Sequence, residues 1–284
     1  MPKPVQQRSK DPARPAPRKG GIENRIKAVE FDEDTGITVC VYGSSGTGKT
    51  TFWSSFPGPL LSIVCSGVTD SGELRSISRE DRAKIQTIKI EKTSEIKEVV
   101  EYQRATGYYK SIVQDHATGL QDYVLKEILG LDELPAQLGW GVANQQTWGQ
   151  VGLQTKENLR AILNLAGNRI IVAQERSFGA GEENELAIPT VGPALTPSIA
   201  GWLTFTCDYV VQTYKEQKVS TKTMTVGGKA QTVTTKLKGV DYKLRTGPDA
   251  TYMTKFRLPR GTELPDSIVD PTYDKLMELI NGGN

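Results

Sequence analysis

Residues 43–50 read Gly-Ser-Ser-Gly-Thr-Gly-Lys-Thr, the pattern G-x-x-x-x-G-K-T. Those residue types at that spacing make a cradle for phosphate. Gly43, Gly46 and Gly48 let the backbone curl without Cβ clashes. The N–H groups through Ser44, Ser45, Thr47 and on to Thr51 then converge on one anion. Lys49 is spaced to reach the β and γ phosphates, and the Thr50 hydroxyl to ligate Mg2+. A glycine-rich turn that merely caps a helix, with Lys49 solvated, is the plainer alternative. The four fixed positions, the apolar run before them (37–42) and a helix start at Thr51 favour a nucleotide. ATP and Mg2+ are the expected cofactors.

Magnesium on such a loop needs a carboxylate beside it, usually at the end of a neighbouring strand. Ser111-Ile112-Val113-Gln114-Asp115 is an apolar run ending in an acid, which places Asp115 at the C-terminal edge of a sheet. Gln114 interrupts the run, and an Asp at a strand end is also a common turn former. The assignment of Asp115 as second magnesium residue therefore leans on the demand created by the loop.

These groups need a scaffold, and the chain alternates strand and helix. Strands are predicted at 37–42, 60–65, 85–90, 111–115 and 169–174. Helices are predicted after the loop as far as Pro57, and at 94–104, 119–129 and 148–166. This is α/β, a mainly parallel sheet flanked by helices. Residues 175–200 read as a long loop rich in Gly, Pro and Glu. The part from 206 to 262 is β-rich, with segments at 208–214, 223–226, 232–237, 242–245 and 251–258 and a hairpin turn at Gly227-Gly228. A terminal helix within 271–281 takes Asp270 as its N-cap. Residues 1–25 are Pro-rich and basic without apolar periodicity, which predicts a disordered arm ahead of one domain over 26–284.

Bulk properties narrow the class. Across 284 residues, 35 Lys+Arg stand against 33 Asp+Glu, a net charge of +2 that argues against a histone-like binder. Cys40, Cys65 and Cys207 are an odd number without C-x-x-C spacing, as expected of buried thiols in a reducing compartment. No apolar stretch approaches a membrane span and no apolar leader begins the chain, so a cytoplasmic protein with no membrane partner is expected.

Four segments, 42–61, 109–124, 169–175 and 242–261, together resemble the RecA-like AAA-family P-loop ATPases that phages encode, including their single-strand annealing recombinases. The resemblance spans about residues 37 to 280, and the loop is its specific part. It implies a RecA-like core with a β-rich C-terminal extension, and nucleotide held between subunits of a ring or filament. It also implies a homo-oligomer, single-stranded DNA as a partner, and phage or host replication or recombination proteins as others. Gln174 takes the place of the polar residue that senses the γ-phosphate. Lys255-Phe256-Arg257 has the K-x-R spacing of a pair offered to the next subunit; a strand there would point Lys255 and Arg257 to one face. A solvated charged edge is the plainer account of that pair.

The general base is harder to place. The resemblance puts a Glu just after the second strand, yet residues 60–65 run into Ser66 and Gly67, with no acid until Asp70 and Glu73. The other position follows Asp115, where the chain has its one histidine, His116. His116 is read either as that base or as a hydrogen-bonded turn residue. DNA contact is assigned by resemblance to loops near 130–147, with Trp140 and Trp148, and 175–200, with Arg176 and Phe178 among several glutamates. A basic hairpin surface of Lys215, Lys218, Lys222, Lys229, Lys236 and Lys238 is the alternative. The sequence thus leads to an ATPase acting on single-stranded DNA. A nucleotide-gated assembly subunit with little turnover and a small-molecule kinase remain as competitors.

Overall fold

The computed structural model describes residues 36–65, 72–131, 143–179, 190–226, 229–258 and 261–282. The predicted arm (1–25) lies outside the described residues. β1 (Thr38–Tyr42) is buried along its whole length, as a central strand covered on both faces must be. Its alternation sorts the core into two layers. Val39 and Val41 pack with Phe52 and Trp53 of α1 (Lys49–Ser54), with Phe56 beyond it, and with Leu276 of the terminal helix. Past the short helix α2 (Arg79–Ala83), Cys40 and Tyr42 face the other layer, built by α3 (Glu95–Thr106), α4 (Ala117–Leu129), α5 (Gln145–Leu163) and α6 (Pro197–Thr206). Each fully buried Phe, Ile or Leu in these layers contributes about 1.5–3 kcal/mol.

The other strands are β2 (Leu60–Cys65), β3 (Ile85–Ile90), β4 (Ser111–Gln114), β5 (Asn168–Ala173), β8 (Tyr209–Val226), β9 (Lys229–Arg245) and β10 (Ser267–Val269), after the small pair β6 (Glu175–Phe178) and β7 (Thr190–Pro193). The main sheet runs β10-β9-β8-β1-β5-β4-β2-β3. Its pairings from β8 to β3 are parallel, and β8–β9 and β9–β10 are antiparallel. The fold is thus α/β, a mostly parallel sheet with flanking helices and extra antiparallel strands at its C-terminal side. Among the described residues no helix is long and apolar enough to cross a membrane.

Several boundaries differ from expectation. The segment 175–200 is not a loop throughout: β6 and β7 form an antiparallel pair around residues 180–189, which lie outside the described residues. α6 follows, with Thr196 as N-cap and Pro197 in its first turn, a start signal visible in the sequence. The separate β segments of 208–245 are two continuous strands paired up to Val226↔Lys229. The pattern hid this because residues 215–219 and 235–240 are exposed on both faces and carry no burial period. Residues 251–258 form no strand and make isolated bridges at Tyr252 and Lys255. The terminal helix is α7 (Tyr273–Ile280), capped by Thr272 rather than Asp270. Trp148 lies inside α5, half-buried against the core, while Trp140 lies outside the described residues.

Candidate functional site

Because β1, β4 and β5 run parallel, their C-terminal ends deliver Gly43, Asp115 and Gln174 to one edge of the sheet. In open α/β sheets that edge is where ligands bind. The loop after β1 turns through two left-handed glycines, Gly46 (φ 72°) and Gly48 (φ 93°), a conformation that side chains other than glycine's resist. Thr47 braces it: its hydroxyl donates to the Ser44 carbonyl (2.8 Å) and lies 2.7 Å from the Thr213 hydroxyl on β8. α1 starts at Lys49, with Gly48 as its N-cap and no side-chain cap hydrogen bond.

Lys49 is buried, and its ammonium donates to the carbonyls of Gly43 (2.6 Å) and Ser44 (2.8 Å), with Gln174 Oε1 at 3.5 Å. An ammonium folded back on its own loop keeps the cradle open and holds the charge where phosphate oxygens would replace the carbonyls. Gln174 thus lies at the end of β5 facing the loop lysine. Its N–H is anchored on the Thr118 hydroxyl (3.2 Å).

Asp115 is buried beside α1, where Oδ2 accepts the indole N–H of Trp53 (3.1 Å). Trp53 thus aims the carboxylate. Nothing in the sequence singled it out except its place one helical turn after Lys49, on the same face. Thr50, Asp115, His116 and Gln174 all line one cavity of about 660 Å3 with the loop residues from Ser45 to Phe52. Among the described residues no group of three or more His, Cys, Asp or Glu could hold a metal by itself. Mg2+ takes one or two protein ligands and completes its shell with water and phosphate oxygens. Thr50 and Asp115 are the residues that would hold it, and the ion would there neutralise phosphate charge.

His116 is the N-cap of α4. Its Nδ1 accepts the Gly119 N–H (2.8 Å), so the proton of the neutral ring is on Nε2. Burial, and secondarily the Lys49 charge, hold its pKa below the usual value. The lone pair that would take a proton is spent on the backbone, and the geometry supports the turn reading rather than the base. Glu73 sits in a 3-10 turn, Gly72–Ser76, whose last residue lines the cavity; its side chain and Asp70 lie outside the described residues.

The K-x-R pair is elsewhere. Lys255 Nζ caps the end of α6 by donating to the carbonyls of Thr204 (3.1 Å), Phe205 (2.8 Å) and Cys207 (2.7 Å), and Arg257 pairs with Asp208 (2.7 Å). Both cations meet at the α6–β8 junction near the start of β8, with in-chain partners and no strand to carry them. The expectation of a strand-borne pair offered to a neighbour is corrected to that extent. Arg176 stacks over Phe178 within β6, 5.7 Å from the ring centroid. Glu175, read only as part of an acidic loop, instead joins the site: it accepts from Ser44 Oγ (3.0 Å) and from Gln212 Nε2 (2.6 Å), tying the loop to β8.

The AAA domain family matches residues 35–258. A comparison with curated proteins returns no match. Among solved structures, the crystal structure of flagellar accessory protein FlaH from Methanocaldococcus jannaschii aligns at 12% identity and a TM-score of 0.38, covering 84% of this chain and 86% of that one. The family match takes in the loop, Asp115, Gln174 and both strands of the long hairpin, well over half the chain, and the protein belongs to the AAA domain family.

Proposed function

We propose that the protein is a Mg2+-dependent ATPase of phage type that assembles with copies of itself and acts on single-stranded DNA in recombination or replication. The carrying observation is the β8–β9 hairpin. β8 pairs with β1 only as far as Gln212, and beyond it the two strands continue together to Val226, on the order of 45 Å at ordinary strand rise. Residues 215–243 hold seven lysines and two acids. Both acids are paired, Asp241 with Lys218 (3.2 Å) and Glu216 with Lys243. The surplus is positive, and exposed Val219, Leu237 and Val240 lie among the lysines. Cations interleaved with apolar surface suit a strand of phosphates and unpaired bases.

The root of that hairpin abuts the loop. Thr213 meets Thr47, Lys215 lies beside Gly46, and Tyr242 lies beside Gly48. Such contact supports DNA-stimulated turnover, since whatever holds the hairpin bears on the phosphate cradle. Two measurements test it: phosphate release with and without single-stranded DNA, and mass in solution. Stimulation by DNA with an oligomer supports the proposal; no DNA binding at low salt removes it. Changing Lys236 and Lys238 to Gln should lower the slope of log affinity against log salt by about 1.4, at about 0.7 per phosphate contact on single strands.

One observation favours a second reading, an assembly subunit that holds ATP without useful turnover. Among the described residues the carboxylates lining the cavity are Asp115 and Asp270, and His116 Nδ1 is engaged. An ATP-dependent oligomer with no phosphate release under any DNA condition would select it.

A further inference from the structure

The cavity does not end at the phosphate loop. It runs along the sheet edge from Asp115, past Gly48, to Tyr242 on β9 and the segment Asp270, Pro271 and Thr272. The loop and Lys49 account for the phosphate end. The far end has a different chemistry: an aromatic ring, a proline and a carboxylate. A volume of about 660 Å3 is in the range that encloses a whole organic ligand rather than an anion alone.

Tyr242 is placed by two constraints. Its cross-strand partner is Lys215, and directly opposed residues of an antiparallel pair project to the same face. That face meets the loop: a Cβ built on Gly48 would lie 3.3 Å from the Tyr242 ring, and one on Gly46 would lie 3.8 Å from Lys215 Nζ. The ring is therefore packed against the second left-handed glycine while 41% of the residue remains exposed. Asp270 is held beside it. Its N–H donates to the Tyr242 carbonyl (2.7 Å), and Lys275 Nζ donates to its own carbonyl (3.0 Å). It is the one described residue other than glycine with positive φ, 47°, a conformation Asp tolerates better than most.

We propose that this end of the cavity is a nucleoside site, in which the Tyr242 ring stacks on the base and the Asp270 carboxylate accepts hydrogen bonds from the nucleoside. The proposal rests on the nucleotide reading of the loop and adds to it a specificity element contributed by the C-terminal hairpin. Phosphate affinity then comes from β1 and α1, and preference for a nucleoside comes from β9 and the α7 approach. The hairpin proposed to meet DNA also supplies a wall of the nucleotide cavity.

Calorimetric titration of the full chain with Mg-ATP and, separately, with inorganic tripolyphosphate separates the two ends. Tyr242→Ala should weaken ATP binding about 10- to 100-fold, the range of a lost base–aromatic stack, and leave tripolyphosphate binding unchanged. Tyr242→Phe and Tyr242→Trp should retain ATP affinity within about threefold, since both keep a stacking face. Asp270→Asn should likewise weaken ATP and spare tripolyphosphate. The proposal is overturned if Tyr242→Ala leaves ATP affinity intact or weakens both ligands alike, or if Tyr242→Phe fails as badly as Tyr242→Ala. A wild-type chain that binds tripolyphosphate as tightly as ATP also overturns it while leaving the loop reading in place. A wild-type chain that binds neither takes down the nucleotide reading itself.

Discussion

β8 passes through two environments within a dozen residues, and the contrast separates what holds this molecule together from what it offers outward. At its start Tyr209, Val210 and Val211 are at most 6% exposed beside β1, and the register there is fixed by burial on both faces. Farther on Val219 is 52% exposed, and the strand is held by its ladder to β9 alone. The first region positions Thr213 against the phosphate loop to within hydrogen-bond distance. The second has a shifted register at Gln217/Val219 and little to fix it but its partner strand. The root is held by burial beside β1, and the arm beyond it by the ladder to β9.

The largest test of that contrast uses two leucines of β9, Leu244 at 0% exposure and Leu237 at 46%. Leu244→Ala should lower the free energy of unfolding in urea by about 2–5 kcal/mol, through lost burial and the cavity left behind. Leu237→Ala should stay within about 0.5 kcal/mol of wild type. Equal effects would break the division between root and arm.

Next in size is Lys49→Ala. Removing the cation poised over the cradle should cut phosphate release by about a hundredfold or more, the usual scale for one transition-state donor. Circular dichroism should remain that of wild type, because β1 and α1 are held by backbone bonds that the side chain does not make. Undiminished release would remove Lys49 from the site.

Trp53→Phe is subtler. The ring is nearly kept, but Asp115 loses the indole N–H, which should cost about 1–3 kcal/mol and raise the Mg2+ concentration needed to support ATP binding. An unchanged magnesium dependence would make Trp53 a packing residue only.

The smallest effect is an expected silence. Burial pushes the Cys65 and Cys207 thiols up to about 12 and Cys40 well above its ordinary value. A raised thiol pKa leaves almost no thiolate at pH 8, so the native protein should give no rapid reaction with a disulfide reagent. Denatured protein should give three. A fast native thiol would show that the core layer holding all three cysteines opens.

The phosphate loop was legible because its chemistry is local. Eight consecutive residues hold both the donors and the glycines that aim them, and the flanking strand and helix follow from short-range periodicity. Asp115 and Gln174 were legible one step less directly, since parallel strands ending in polar residues must bring those residues to a common edge. His116 illustrates the limit: its type suggested a base, and the N–H of Gly119 three residues on decided that its lone pair was taken. Lys255 and Arg257 had the right spacing, but the carbonyls at the end of α6 and Asp208 claim them. Neither partner is near in sequence.

The sequence by itself determined the α/β class, the cradle, and the strand ends that surround it, because each depends on residues a few positions apart. Only the tertiary structure decided that Trp53 aims Asp115, that Glu175 ties Ser44 to Gln212, and that Tyr242 and Asp270 wall the cavity. Those contacts join residues 28 to 131 or more positions apart, or on strands whose order in the sheet no local pattern encodes. Side chains with no periodic signal find their partners only when the sheet order is set, and here β8 closes beside β1, with β9 on its far side, to complete what the loop begins.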